Sequence, residues 1–138
     1  MSYKSKSALA ALTALVVVYG AYFLWACVPG RPAPVVLVHM VGAAIGLVLI
    51  LTALEIAIAI GNRKALQSAK WTDERDNSNG LRSARNGYYV LAGLIWTAPF
   101  IALAGAPPVL LANLCLGMLV AAEAVQFGSR VVYDRLGA

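Results

Sequence analysis

Four long stretches of this chain are almost free of polar positions, separated by short polar or proline-rich segments. They run over residues 9–28, 35–60, 87–104 and 109–127. An α-helix rises 1.5 Å per residue, so about 20 residues cross a hydrocarbon core of about 30 Å. The pattern therefore predicts four membrane-spanning helices in an all-α integral membrane protein. Residues 1–138 read as one membrane domain, a four-helix bundle, with a polar loop over 61–86 and no room for a soluble catalytic domain.

The basic residues give this object a direction. Lys4 and Lys6 precede the first stretch, and Arg31 alone lies in the first turn. Arg63, Lys64, Lys70, Arg75, Arg82 and Arg85 fall between the second and third stretches, and Arg130 and Arg135 follow the fourth. Lys and Arg accumulate on the cytoplasmic side of inner membranes, so the middle loop and both termini are expected inside the cell, in a bacterial plasma membrane.

Composition agrees. Hydrophobic residues make up 61% and charged residues 12%, against about 25% charged in soluble domains. Mean hydropathy is +0.76. The net charge of +5 sits beside membrane ends, where topology and anionic head groups account for it without nucleic acid. Lys4 and Lys6 resemble the start of a signal peptide, but the stretch after them exceeds a 7–15-residue signal core, so we expect a retained helix. Cys27 and Cys115 both fall toward the outer side and read as packing thiols, with a disulfide as the alternative.

The stretches form two hairpins of similar plan. Each opens with an aromatic-bearing helix, Tyr19 to Trp25 or Tyr88 to Phe100, and turns through prolines at 29–34 or 105–108. Proline has no amide hydrogen and suits a helix start. Each second helix then carries a polar residue (His39 or Asn113), a lone glutamate (Glu55 or Glu123) and a Gly-Asn-Arg or Gly-Ser-Arg end. A parallel internal repeat about an axis along the membrane normal would produce this. Gly42 and Gly46 form a small-residue face that predicts close helix packing, within the bundle or between two copies in a homodimer.

Ionisable groups in spanning helices are costly and mark candidate sites. Glu55 is expected near the inner interface, and Glu123 in the inner half of its helix. Arg130 and Gln126 follow Glu123 by seven and three positions, on one helical face. Both glutamates are expected to pair with interfacial arginines such as Arg63, Arg82, Arg85 or Arg130. The alternative is a proton or cation site made by the two glutamates facing each other. His39, the single histidine, is expected to be a hydrogen-bonded interfacial residue, since haem b in a bundle usually takes two axial ligands. No metal-ligand spacing, phosphate loop or nucleophile–base arrangement is present, so no cofactor and no enzyme activity are expected.

The middle loop is the segment suited to meet a soluble partner. Thr72 can cap a helix whose first turn holds Asp73 and Glu74, followed by Arg75 and Asp76, where the helix dipole favours acidic groups. Asn77-Ser78-Asn79-Gly80 is expected to break that helix. Arg82 and Arg85 then share one face of a helix leading into the third span. The acidic run could clip back onto these arginines.

The Asp73-Glu74-Arg75-Asp76 run, followed by Arg82, Arg85, Tyr88 and Tyr89 at the opening of a span, resembles small four-span prokaryotic membrane proteins of the DUF2178 kind. The resemblance implies a membrane partner for a small cytoplasmic transcription regulator. We therefore expect a non-enzymatic protein that holds a cytoplasmic partner through Lys64, Lys70, Arg75, Arg82 and Arg85, with Trp71 as an anchor. A small proton- or ion-coupled transporter using the glutamates, or an accessory subunit of a larger membrane complex, are the alternatives.

Overall fold

The computed structural model describes residues 3–61 and 74–136, with side chains from 5–61 and 77–136. Its elements are α1 (Tyr3–Ala26), α2 (Ala33–Gly61), α3 (Glu74–Ile95), α4 (Thr97–Leu103) and α5 (Pro108–Leu136). The fold is all-helical. Four spans are long and apolar enough to cross a membrane: Ser5–Ala26, Ala33–Gly61, Asn77–Leu103 and Pro108–Leu136. The protein is a multi-pass membrane protein, and a polar loop is not the whole of 61–86.

Both hairpin turns are built by residues the sequence puts there. Gly30 and Gly105 each adopt φ of 82°, a left-handed conformation that costs glycine little. Pro34 lies in the first turn of α2, and Pro108 opens α5. There the missing amide hydrogen removes a donor that would have no helical partner. The other ends of the helices form the termini end of the bundle.

The third span is bent. α3 ends at Ile95 and α4 starts at Thr97, with Trp96 between them. Pro99 explains the break, because it cannot donate to the Ile95 carbonyl four residues earlier and its ring crowds that oxygen. The Thr97 hydroxyl donates to Leu94 O at 2.7 Å, satisfying one carbonyl that the break would expose.

Packing is unequal. α1 lies against both α2 and α5, and α5 also carries α3, so α1 and α5 are central while α2 and α3 flank them. The buried apolar cluster is Ala14, Leu15, Tyr19, Tyr22 and Leu47, with Phe23, Met40, Leu116 and Phe127 packed around it. An axis exchanging the hairpins would turn the α1–α5 seam into an equally extensive α2–α3 seam. Among the described residues α2 and α3 share no such seam, so the sequence correspondence of the hairpins does not extend to their packing.

The expected break at Asn77–Gly80 is absent: α3 runs unbroken from Glu74 to Ile95. The cause is tertiary. Asn79 and Ser83 are buried against α5. Asn79 Nδ2 donates to Asp134 Oδ1 at 3.3 Å, and Asn86 Nδ2 donates to the Tyr133 hydroxyl at 2.7 Å. The Ser83 hydroxyl donates back to Gly80 O at 2.8 Å. The α5 helix correspondingly runs to Leu136, well past the expected end at 127.

Candidate functional site

The termini end and the membrane interior each hold candidate residues. At the termini end, α3 and α5 pack closely against each other, and Asn79, Ser83 and Gly87 line their seam four residues apart. A Cβ at Gly87 would lie 2.9 Å from Ala122 O and 3.0 Å from Gln126 Cβ, so only glycine allows this approach. The sequence carries this as a small-residue stripe at helical spacing, as it does at Gly42 and Gly46.

Of the two packing readings for Gly42 and Gly46, contact within the bundle is not found. A Cβ at either would meet nothing within 4 Å, and Gly42 is exposed. They make no close helix contact within the chain, because α2 turns its other side to α1. Space at Gly117, in contrast, is used: the Phe23 ring reaches within 3.7 Å of where a Cβ would stand.

Arg82 and Arg85 are exposed on α3. Neither pairs with an acidic side chain among the described residues. Trp71 and Asp73, with Lys64 and Lys70, lie outside the described residues. Glu74, Arg75 and Asp76 form the first turn of α3, and the expected acidic clip rests on side chains outside those described. Arg135 is exposed on α5, and Lys6 on α1, at the same end.

The two glutamates differ in surroundings. Glu55 is exposed on α2 and accepts a hydrogen bond from the Ser7 hydroxyl of α1, tying the two helices together. Glu123 is half-buried on α5, in a crevice of about 230 Å³ between α1, α2 and α5. Its walls are Leu15 and Tyr19 from α1, Leu47 and Leu51 from α2, and Leu119, Val120 and Phe127 from α5. The two carboxyls do not share a site, since Glu55 is not among these walls.

The expected pairing of Glu123 with Arg130 is also corrected. Among the described residues the Glu123 carboxyl makes no hydrogen bond or ion pair. The Arg130 guanidinium instead lies across Gly80 of α3, with Nη2 3.8 Å from where a Gly80 Cβ would stand. Seven residues of α-helix return nearly to the same face but cover about 10 Å along the axis, which lets Arg130 turn toward a different neighbour.

At the hairpin end, His39 is exposed and hydrogen-bonded as expected. Its Nδ1 lies 2.8 Å from Val35 O, one turn back on α2. Its ring stacks on Trp25 at 4.0 Å between centroids and 18° between planes. The Arg31 guanidinium lies 4.3 Å from the same indole, a cation–π contact. Deeper, the Tyr22 hydroxyl donates to Asn113 Oδ1 at 2.5 Å, and Asn113 Nδ2 donates to Val109 O at 2.9 Å. His39 and Asn113 therefore do different work: one closes the first turn, the other joins α1 to α5. Cys27 and Cys115 are free thiols.

Among the described residues no group of three or more His, Cys, Asp or Glu side chains gathers as a metal site. Comparison with protein families, with curated proteins and with solved structures finds no match to this chain.

Proposed function

We propose that this chain is a non-enzymatic inner-membrane protein, with both termini in the cytoplasm, that binds an acidic cytoplasmic partner at its termini end. A small transcription regulator, as the Asp73–Asp76 resemblance implies, is the partner class we favour. The observation that carries the proposal is the exposure of Arg82 and Arg85 without acidic neighbours among the described residues, on a helix held to α5. Guanidinium groups on a fixed helix lose less freedom on binding than those on a flexible loop, and they suit carboxylate recognition. The open Gly42 and Gly46 face of α2 is compatible with a homodimer.

The test is co-purification of tagged full-length protein in a gentle detergent, beside an Arg82→Glu/Arg85→Glu variant. Deleting residues 72–80 is a poorer control, because it would remove Asn79 from the α3–α5 seam. A soluble partner should fall about tenfold or more in the charge-reversed variant, the equivalent of about 1.4 kcal/mol. Equal recovery from both proteins would refute the arginine surface.

The isolation of Glu123 in an apolar crevice favours a second function, transport of a proton or cation, over a structural ion pair. In liposomes this predicts cation-coupled flux that is lost in Glu123→Gln and kept in Glu55→Gln. Equal flux with and without the Glu123 carboxyl would remove that function.

A further inference from the structure

The Glu123 crevice has a chemistry that narrows what it can hold. Glu123 lies about 22 Å along α5 from Pro108, at 1.5 Å per residue. Leu47 lies about 21 Å along α2 from Ala33, and Leu15 about 16 Å along α1 from Ala26, by the same rise. Three helices thus place the crevice within a hydrocarbon core of about 30 Å. A carboxylate there is costly unless it takes up a proton or a cation meets it.

The walls decide which cation. Mg²⁺ and Ca²⁺ take about six or more oxygen ligands, and Glu123 and Tyr19 are the only lining residues here whose side chains carry oxygen. Small inorganic cations would be stripped of water without replacement ligands. An organic cation is different. Its charge is spread and weakly hydrated, its apolar body fits leucine walls, and its charged head favours aromatic side chains, of which Tyr19 and Phe127 line the crevice. A volume of about 230 Å³ admits a small body, one ring with a compact charged head, and not a multi-ring compound.

We propose that the crevice between α1, α2 and α5 is a binding site for a small lipophilic organic cation, with Glu123 as its counter-ion. The site is independent of partner binding through Arg82 and Arg85. It supplies a ligand class for the transport function but does not require that the ligand cross the membrane. Binding and flux are therefore read separately: binding without flux would refute transport and leave the site standing.

The experiment uses full-length protein in nanodiscs of zwitterionic lipid, with benzyltrimethylammonium as the probe and its uncharged isostere neopentylbenzene as the comparison. Empty nanodiscs correct for partition into lipid. The cation should bind saturably, and at least tenfold more tightly than the neutral isostere. Glu123→Gln should weaken the cation tenfold or more, and Glu55→Gln should not. Leu47→Trp, which fills the crevice while leaving the carboxyl in place, should block both probes. Variants are compared only after matching wild-type helicity and elution. Equal affinity for the two probes would identify an apolar crevice for lipid chains and overturn the proposal. So would unchanged cation affinity in Glu123→Gln, or no saturable binding by wild type.

Discussion

Replacing Gly87 with alanine is expected to loosen α3 from α5, and replacing it with leucine to separate them. A new Cβ would stand 2.9 Å from the Ala122 carbonyl oxygen and 3.0 Å from Gln126 Cβ. The first obstacle is backbone, already engaged in the α5 helix, so it cannot rotate away as a side-chain tip would. Overpacking of this kind costs about 1–3 kcal/mol for a small group, and leucine adds further volume at the same point. Gly93 lies farther along the same helix and supplies the contrast, since a Cβ there meets nothing within 4 Å. Gly93→Ala should be neutral or stabilising by up to about 1 kcal/mol through helix propensity. Thermal unfolding in one detergent, followed by circular dichroism, compares the two sites. If Gly87→Leu melts with Gly93→Leu, the helices do not approach at Gly87.

The consequence reaches the proposed function. Arg82 lies within two turns of Gly87, between the Asn79–Asp134 and Asn86–Tyr133 hydrogen bonds. Loss of the seam frees this length of α3, and the two arginines lose their fixed spacing. Gly87→Leu should therefore reduce partner capture although it removes no charge.

What the sequence made legible follows from physics that acts locally. Hydrocarbon demands long apolar helices, so four spans are visible at once. Proline and glycine punctuate both hairpin turns, where left-handed Gly30 and Gly105 sit. The break before Pro99 interrupts a helix expected to run unbroken over 87–104, although its cause is equally local, because proline disturbs the carbonyl four residues before it. The start of α3 was not legible in this way. Asn77-Ser78-Asn79-Gly80 carries turn formers, yet Asp134 and the close surface of α5 make helix the better state for Asn79 and Gly80. Those partners lie about fifty residues away in sequence and appear only once the bundle is assembled.

The candidate sites show the same division. A lone glutamate in an apolar run could be recognised in both second helices, but not its surroundings. Glu55 meets Ser7 because α1 lies against α2. Glu123 faces an apolar crevice because α1 and α2 converge on α5 there. Small-residue spacing was likewise ambiguous: no neighbour stands within 4 Å of a Cβ at Gly42 or Gly46, whereas Asn79, Ser83 and Gly87 carry a helix seam. Spacing identifies a face that permits close approach, and the helix order decides whether a neighbour arrives.

The α1–α5 seam joins the two hairpins, and there Tyr22 supplies two separable contributions. Its side chain is buried, its ring meets Phe23 edge-on at 5.3 Å, and its hydroxyl donates to Asn113 of α5. Tyr22→Phe keeps the ring and removes the hydrogen bond, which within a membrane is worth about 0.6 kcal/mol on average and up to about 1.7. Asn113→Leu removes the same bond from the other side, so the double variant should cost less than the two single losses added together. Tyr22→Ala also leaves a cavity in the cluster with Tyr19, Leu15 and Leu47, and should cost about 3–5 kcal/mol, as aromatic truncations in packed cores do. Transfer to water contributes little to this difference, because the alternative surroundings in the membrane are lipid chains; lost packing contributes most of it. Reversible unfolding in mixed micelles should therefore rank wild type, Tyr22→Phe and Tyr22→Ala in falling order, with the larger step at the second substitution. A larger step at the first would mean that the hydroxyl, rather than the packed ring, holds α1 to α5.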